Sequence, residues 1–424
     1  MPIKAAASAA IAAFPLHARR ISHLPSAELH AMLAPETSRG VSGLIDWLMG
    51  PARKSRSGAK AVEEVCTRLL ALGVPLDRYV SSTSLLHAEH DGEGRIWTRG
   101  GGIEETVYVR PAEGDPRYLV SPLKEAKETG EWVELWLPET PDSRFGIVPE
   151  LKAKGYTHYL CVSMTFMNGI GGWLALASRA PAGFSPRDLA ALALIVPAAA
   201  ALIETRVAWR TLDSVLRTYV GEEPHQAILA GNVKRGMVST IKSAMLFADM
   251  RNSTKLTAGM SGAEAAEVFN AFFDCLVPAI ELRHGEVLKY MGDGLLAIFR
   301  EAEEPPCDAP ARALAAAADA LETMAAWNAK NPDRPPLHAG IALHYGEAGY
   351  GNVGSGQRLD FTVIGRDVSL ASRIADLNRP LGEPLLLSAA FAKELAGDTL
   401  RLGMFDAKGF AEQVEVHRPG LAAA

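Results

Sequence analysis

Cysteine is scarce in this chain. The four that occur among 424 residues (Cys66, Cys161, Cys275 and Cys307) stand far apart and match neither a disulfide framework nor a zinc-ligand spacing. That scarcity fits a reducing compartment, so the expected location is the cytoplasm. Long apolar runs are missing too. The longest uncharged stretch, Leu189–Ile203, holds fifteen residues with Pro197 among them, against the roughly 20 that span a bilayer. It reads as a buried helix face, and no membrane span is expected. Runs of like charge are absent, and the net charge of −6 is spread along the chain, which argues against a nucleic-acid partner. The glycine-rich "GNVGSG" lacks the Gly-Lys-Ser/Thr ending of a phosphate loop and reads as a hairpin tip. The opening "MPIKAAASAAIAAFPLHARR" owes its apolar character mostly to alanine and reads as a terminal helix rather than a signal peptide.

What is present is ordinary for a soluble globular protein: 48% hydrophobic and 22% charged residues, in a length that allows two or three domains. Residues 1–40 read as a weakly ordered leader. Residues 41–205 are mixed, and six of the seven tryptophans precede residue 210. Within this stretch "THYLCVSMTFMNGIGGWLALAS" places two alternating runs around Asn168-Gly169, a hairpin pair. In "GFSPRDLAAL", Ser185 is a good N-cap, Pro186 suits the first helical position and Asp188 suits the positive helix end. The mixed stretch resembles a GAF-type sensor, a resemblance carried by residues 155–205. It implies a regulatory role with a pocket in which a small-molecule ligand, a chromophore or nothing could sit. Cys66 and Cys161 read as buried structural cysteines. Residues 206–239 read as a signalling helix and linker, 240–418 as a separate domain, and 419–424 as a tail.

From residue 240 the pattern is strand ("IKSAMLFADM"), helix (262–285, with Val268, Phe272, Leu276 and Ile280 on one face), hairpin, helix (308–329) and strand (337–349). That is the order of a ferredoxin-like α+β sandwich. The hairpin is "HGEVLKYMGDGLLAIF", residues 284–299. Gly292-Asp293-Gly294 interrupts its apolar run, with Lys289 just upstream. In such a sheet the first strand lies beside the hairpin, so Asp249 and Asp293 can converge at one edge. Two carboxylates and a backbone carbonyl suit Mg²⁺ or Mn²⁺ held together with substrate phosphates. From spacing alone, a strand-end Asp and a turn Asp with no shared role is the competing reading. His338 and His344 read as packing or surface residues.

"FADMRNSTKL", "GEVLKYMGDGLLAIF", "RLDFTVIGRDVSLASRI" and "FDAKGF" resemble, in order and spacing, the class III nucleotidyl cyclases, over residues 240–418. The resemblance is to the bacterial branch that makes 3′,5′-cyclic AMP and pyrophosphate from ATP. It implies two Mg²⁺ or Mn²⁺ ions per site, bound by Asp249, Asp293 and the Met250 carbonyl, assisting attack of the ribose 3′-hydroxyl on the α-phosphate. It also implies that Lys289 and Thr362 read the purine, that Arg373 stabilises the transferring phosphate, and that Lys408 grips the terminal phosphates. A homodimer sharing its active sites across the interface follows from the same resemblance. An ammonium at Lys289 can donate to adenine N1 and Thr362 can accept from its amino group, whereas guanine presents a donor at N1. Two positions depart from the family. Ser369 stands where Asn usually orients the ribose, so lower activity is expected. Arg366 stands where relatives carry an acidic or small residue. A guanylate or broad-specificity cyclase, and a weakened cyclase fold that only binds nucleotide, remain open alternatives.

Overall fold

A computed structural model describes residues 17–55, 57–86, 90–108, 116–169, 171–301 and 308–420. The chain divides into two compact units, Met1–Val215 and Leu216–Ala424. The expected boundary at 205/206 is not where the chain divides. Residues 186–220 form one uninterrupted helix, and Val207 still belongs to the core of the first unit. The expected leader is corrected as well. From His17 onward the chain is helical, in His17–Ser22 and Ser26–Ala31, and Ala18, Ile21, Leu29 and Leu33 enter the same core. Those apolar side chains have a packed face to fill, which sets their order. Residues 1–16 and Cys307 lie outside the described residues.

The first unit is a six-stranded antiparallel sheet between two apolar layers. Its strands are β1 (Arg78–Ser84), β2 (Gly92–Thr98), β3 (Gly102–Tyr108), β4 (Val133–Trp136), β5 (His158–Thr165) and β6 (Gly171–Ser178), in the order β3-β2-β1-β6-β5-β4. One face packs against α1 (Pro35–Met49), α2 (Gly58–Ala71) and α3 (Pro186–Val220), through Leu44, Leu69, Leu189 and Leu160 among others. The other face packs Leu137, Val148, Leu151 and Tyr159. Ser185 and Asp188 cap α3 reciprocally, each side chain accepting the other residue's backbone N–H at 3.3 and 2.8 Å. By length and composition α3 could cross a membrane, but its apolar residues Leu192, Ile195 and Leu202 are buried in the unit's own core. The hairpin at Asn168-Gly169 is wider than a two-residue turn. Strands β5 and β6 pair from His158↔Ser178 to Thr165↔Gly171, so the strands have already parted at residue 166. Cys66, Cys161 and Cys275 are free and buried. Burial pushes the Cys161 thiol up to about 12, which leaves it unreactive at neutral pH.

The second unit places β7 (Val238–Met250) at the centre of an eight-stranded sheet. Helices α4 (Gly262–Leu282) and α5 (Ala309–Lys330) alternate with β8 (Glu286–Met291), β9 (Gly294–Arg300) and β10 (Ala339–Ser355). The order β10-β7-β9-β8 is the ferredoxin-like arrangement expected from the pattern. β11 (Arg358–Ile364) pairs with the outer half of β10 as a two-stranded arm. β12 (Leu385–Ser388), β14 (Val414–Pro419) and β13 (Thr399–Phe405) extend the sheet beyond β10. Ser261 and Glu264 form a capping box at the start of α4. Phe272, Leu276 and Ile280 of the expected face are fully buried against Leu246, Ala297 and Leu343, while Val268 is partly buried at the margin. α6 (Arg366–Leu381) closes the opposite face through Ala371, with Met245, Phe247 and Leu296 beneath it. β9 is therefore covered on both sides, which explains why it is apolar throughout rather than alternating. His344 is a packing residue, buried, with Nδ1 2.8 Å from the Ser388 hydroxyl.

Glu286 opens β8 and ties it to the helix Glu222–Leu229. Its carboxylate accepts the Glu223 backbone N–H at 3.1 Å and the Tyr350 hydroxyl at 3.0 Å. Burial, and then the nearby Glu223 carboxylate, raise its pKa to about 7. The folded state therefore holds this proton more tightly than the unfolded chain. The associated stability is present below the ordinary carboxylate range and is lost as pH rises through 7. Glu286→Gln, which mimics the neutral form, should match wild type near pH 4.5 and exceed it by ~1–3 kcal/mol at pH 8. Urea unfolding at the two pH values checks this, and an unchanged difference would overturn it.

Candidate active site

The turn that joins β8 to β9 is two residues long, because Met291 pairs directly with Gly294. Gly292 takes φ +70°, and Asp293 follows it at the tip. Gly294 is required for a different reason. A Cβ there would lie 2.6 Å from the Ala248 carbonyl oxygen and 3.1 Å from Asp249 Oδ1. The lack of a side chain lets β9 close on β7 in the register Asp249↔Gly294, which sets the carboxylates of Asp249 and Asp293 side by side. The Met250 backbone N–H donates to the Asp293 carbonyl at 3.0 Å and locks the tip against the strand end. The Ser253 hydroxyl donates to Asp293 Oδ2.

Partial burial raises the Asp249 carboxyl to about 6, with the Asp293 charge and a shared hydrogen bond as the next causes. Two carboxylates held this close repel, and a cation between them removes the cost. The donor set is hard oxygen, which fits Mg²⁺ or Mn²⁺. Among the described residues no group of three or more His, Cys, Asp and Glu side chains could hold a metal ion. Any ion here would therefore draw further ligands from backbone carbonyl, water or substrate.

A second group forms on β8 and β11. Between Val287 and Lys289 the pairing with β9 slips by one residue, a bulge at Leu288. Leu288 turns into the core and Lys289 is re-aimed. Its ammonium lies 3.5 Å from Asp360. Two residues on, the Thr362 hydroxyl is buried without a hydrogen-bond partner. A buried hydroxyl left unpaired in the free protein suits a site completed by a ligand. Asp360 was not among the residues singled out from sequence. Its place two residues before Thr362, on the same face of a strand, was the available signal.

The remaining candidates sit on α6 and the loop after β13. Arg373 donates to Asp376 at 3.0 Å, and the Asp376 charge also contributes to the raised pKa of Asp249. The Ser369 hydroxyl donates to the Gly365 carbonyl of its own helix at 3.2 Å and is exposed. Lys408 is exposed, before Gly409 at φ +90°. Arg366, unexplained by the sequence, lays its guanidinium over the Phe410 ring at 5.6 Å and so tethers the start of α6 to the Lys408 loop. The structure thus brings Asp249 and Asp293 together, and sets Lys289 and Asp360 against one another with Thr362 near. Among the described residues, no hydrogen bond or ion pair joins Arg373, Ser369 or Lys408 to Lys289 or Thr362.

Comparison with known proteins matches residues 237–381 to the adenylate and guanylate cyclase catalytic domain. An adenylate cyclase of Anabaena cylindrica is 29% identical over 165 residues, 39% of this chain and 33% of that protein. An uncharacterized protein of Mycobacterium tuberculosis is 33% identical over 149 residues, 35% of this chain and 26% of its own length. The chain thus spans about a third or less of those relatives. The solved structure of a bacterial light-regulated adenylyl cyclase aligns with a TM-score of 0.46 and 23% identity, over 53% of this chain and 65% of that one. Within its second unit, residues 237–381 are thus similar to the catalytic domain of the adenylate and guanylate cyclases.

Proposed function

We propose that the second unit is an adenylate cyclase, converting ATP to 3′,5′-cyclic AMP and pyrophosphate as part of a cytoplasmic homodimer regulated by the first, GAF-like unit. The observation that carries this reading is the Asp249–Asp293 pair, held by the β7–β9 register beside the strand that bears Lys289. Divalent ions bound there with the substrate phosphates would activate the ribose 3′-hydroxyl and stabilise the charge developing on the leaving oxygen. The protein's own groups do the rest. The Lys289 ammonium donates to adenine N1 and the Thr362 hydroxyl accepts from the adenine amino group, which gives that buried oxygen the partner it lacks. Arg373 supplies fixed positive charge to the α-phosphate, and Lys408 to the terminal phosphates. The deciding experiment is purified full-length protein with Mn²⁺ and ATP, assayed for cyclic AMP and pyrophosphate. No product at any metal concentration would leave the binding-only alternative.

Asp249→Ala and Asp293→Ala should each lower turnover by at least about a hundredfold, since charge stabilisation of this kind is worth several kcal/mol. Unchanged turnover in either folded variant removes the metal role. ATP should exceed GTP in kcat/KM by about tenfold or more, ~1.4 kcal/mol. Equal values would leave a broad-specificity cyclase. Ser369→Asn should hold or raise activity, because the Ser369 hydroxyl is engaged by the Gly365 carbonyl and a longer amide would reach further. A large loss would mean that the site is built around serine.

In the shared-site arrangement that the family resemblance implies, the two aspartates face the partner's base-reading and phosphate-binding groups. Asp249→Ala and Arg373→Ala would each be nearly inactive alone, yet a mixed dimer carries one intact site. After free exchange, half of the dimers are mixed, and about a quarter of wild-type activity should return. A mixture that stays inactive despite confirmed exchange refutes the shared site.

A further inference from the structure

In the first unit, helices α2 and α3 do not fully close over strands β1 and β2. A cavity of about 40 Å³ is left, lined by the apolar side chains of Leu48, Val62 and Leu202 and by Thr83, Arg95 and Arg206. The strand register puts polar groups there in cross-strand pairs, Ser81↔Arg95 and Thr83↔Glu93. Thr83 is only 6% exposed, and its hydroxyl has no hydrogen-bond partner. Arg206 reaches in from α3. Its Nη2 donates to the carbonyls of Ala52 at 3.0 Å and Ser55 at 2.9 Å, while its Nε is buried without a partner.

The charges around the cavity do not balance. Arg95 is held by both Glu93 oxygens at 3.2 Å and by Glu105 at 2.6 Å, and Arg210 shares Glu93. Among the described residues, Arg206 has carbonyl partners but no carboxylate within ion-pair distance. Among the described residues, three guanidinium groups are thus set against two carboxylates, Glu93 and Glu105, leaving one positive charge. Burial, and then repulsion from Arg95 and Arg210, disfavour the Arg206 cation. A half-buried charge of this kind is held at a cost unless it is paired, and so is a donor atom such as Nε that is buried without a partner. Gly58 belongs to the same construction. A Cβ there would meet the Arg95 guanidinium carbon at 2.7 Å, so a side chain at position 58 would displace the end of Arg95.

We propose that this cavity binds a small monovalent anion, which accepts hydrogen bonds from Arg206 Nε–H and the Thr83 hydroxyl and completes the charge balance. Size restricts the class. About 40 Å³ of space for water-sized groups suits an ion of about one to four non-hydrogen atoms. A halide and the carboxylate of a very small organic acid share the required chemistry. Because Arg206 lies on α3, the anion would brace that helix against the sheet of its own unit.

The test is thermal unfolding of the full chain in sodium chloride, sodium formate or sodium gluconate at equal ionic strength. Tryptophan emission reports mainly on the first unit, since six of the seven tryptophans precede residue 210. Chloride or formate should raise Tm saturably by about 2–5 °C, and gluconate, too large for the cavity, should not. A response to chloride alone identifies a halide site, and to formate alone a carboxylate site. Thr83→Val keeps the shape of the side chain and removes the hydroxyl, and should abolish the response. Arg206→Lys keeps the charge but loses the Nε donor, and should abolish it too. Equal Tm in all three salts, or a Thr83→Val variant that responds like wild type, overturns the proposal.

Discussion

The second unit depends on one close approach, the passage of β9 against the end of β7 at Gly294. With any side chain there, the strands would separate at their ends or the Asp249 side chain would be displaced. The same contact fixes the two-residue turn, the lock between Met250 and Asp293, and the proximity of the two carboxylates. The repulsion that results is a local cost within a well-packed unit. Phe272, Leu276 and Phe299 are fully buried beneath the sheet, and α6 seals its other face. An apolar core of this kind can hold two acidic groups in a geometry that they would not adopt by themselves.

Around that contact, the candidate site is distributed over elements far apart in the chain. The β8 bulge aims Lys289, the arm strand β11 presents Asp360 and Thr362, and Arg366 ties α6 to the loop of Lys408 through Phe410. Each device re-aims or tethers a side chain without lengthening the chain. Glu286 does the same for the strand as a whole, since its carboxylate holds the first turn of the helix Glu222–Leu229.

The first unit shows the other use of buried polar groups. Its sheet is built on apolar layers, but between α2, α3 and the strands a set of arginines and glutamates is gathered with one charge and two donors unmatched. The helix that carries Arg206 also carries Leu189, Leu192 and Leu202 into the core, so the polar cluster and the apolar packing position the same element.

Much of the catalytic fold was legible in the sequence. The 3.6-residue period of α4, the Ser185 cap of α3 and the Gly-Asp-Gly turn are local signals, set by backbone geometry within a few residues, and the structure reproduces them. Residues 17–40 and the unit boundary were misread, because burial of Leu29 and Leu33 and the continuation of α3 past residue 205 depend on packing partners distant in sequence. The bulge at Leu288, the Asp360–Lys289 pair and the Arg366–Phe410 contact were illegible for the same reason: register and cross-strand distance are set only when strands pair. The sequence by itself determined which residue types were available and where the chain could turn. Only the tertiary structure decided which side chains far apart in the chain meet, because 289 and 360, or 366 and 410, become neighbours through the sheet register and the packing of helices and loops on it.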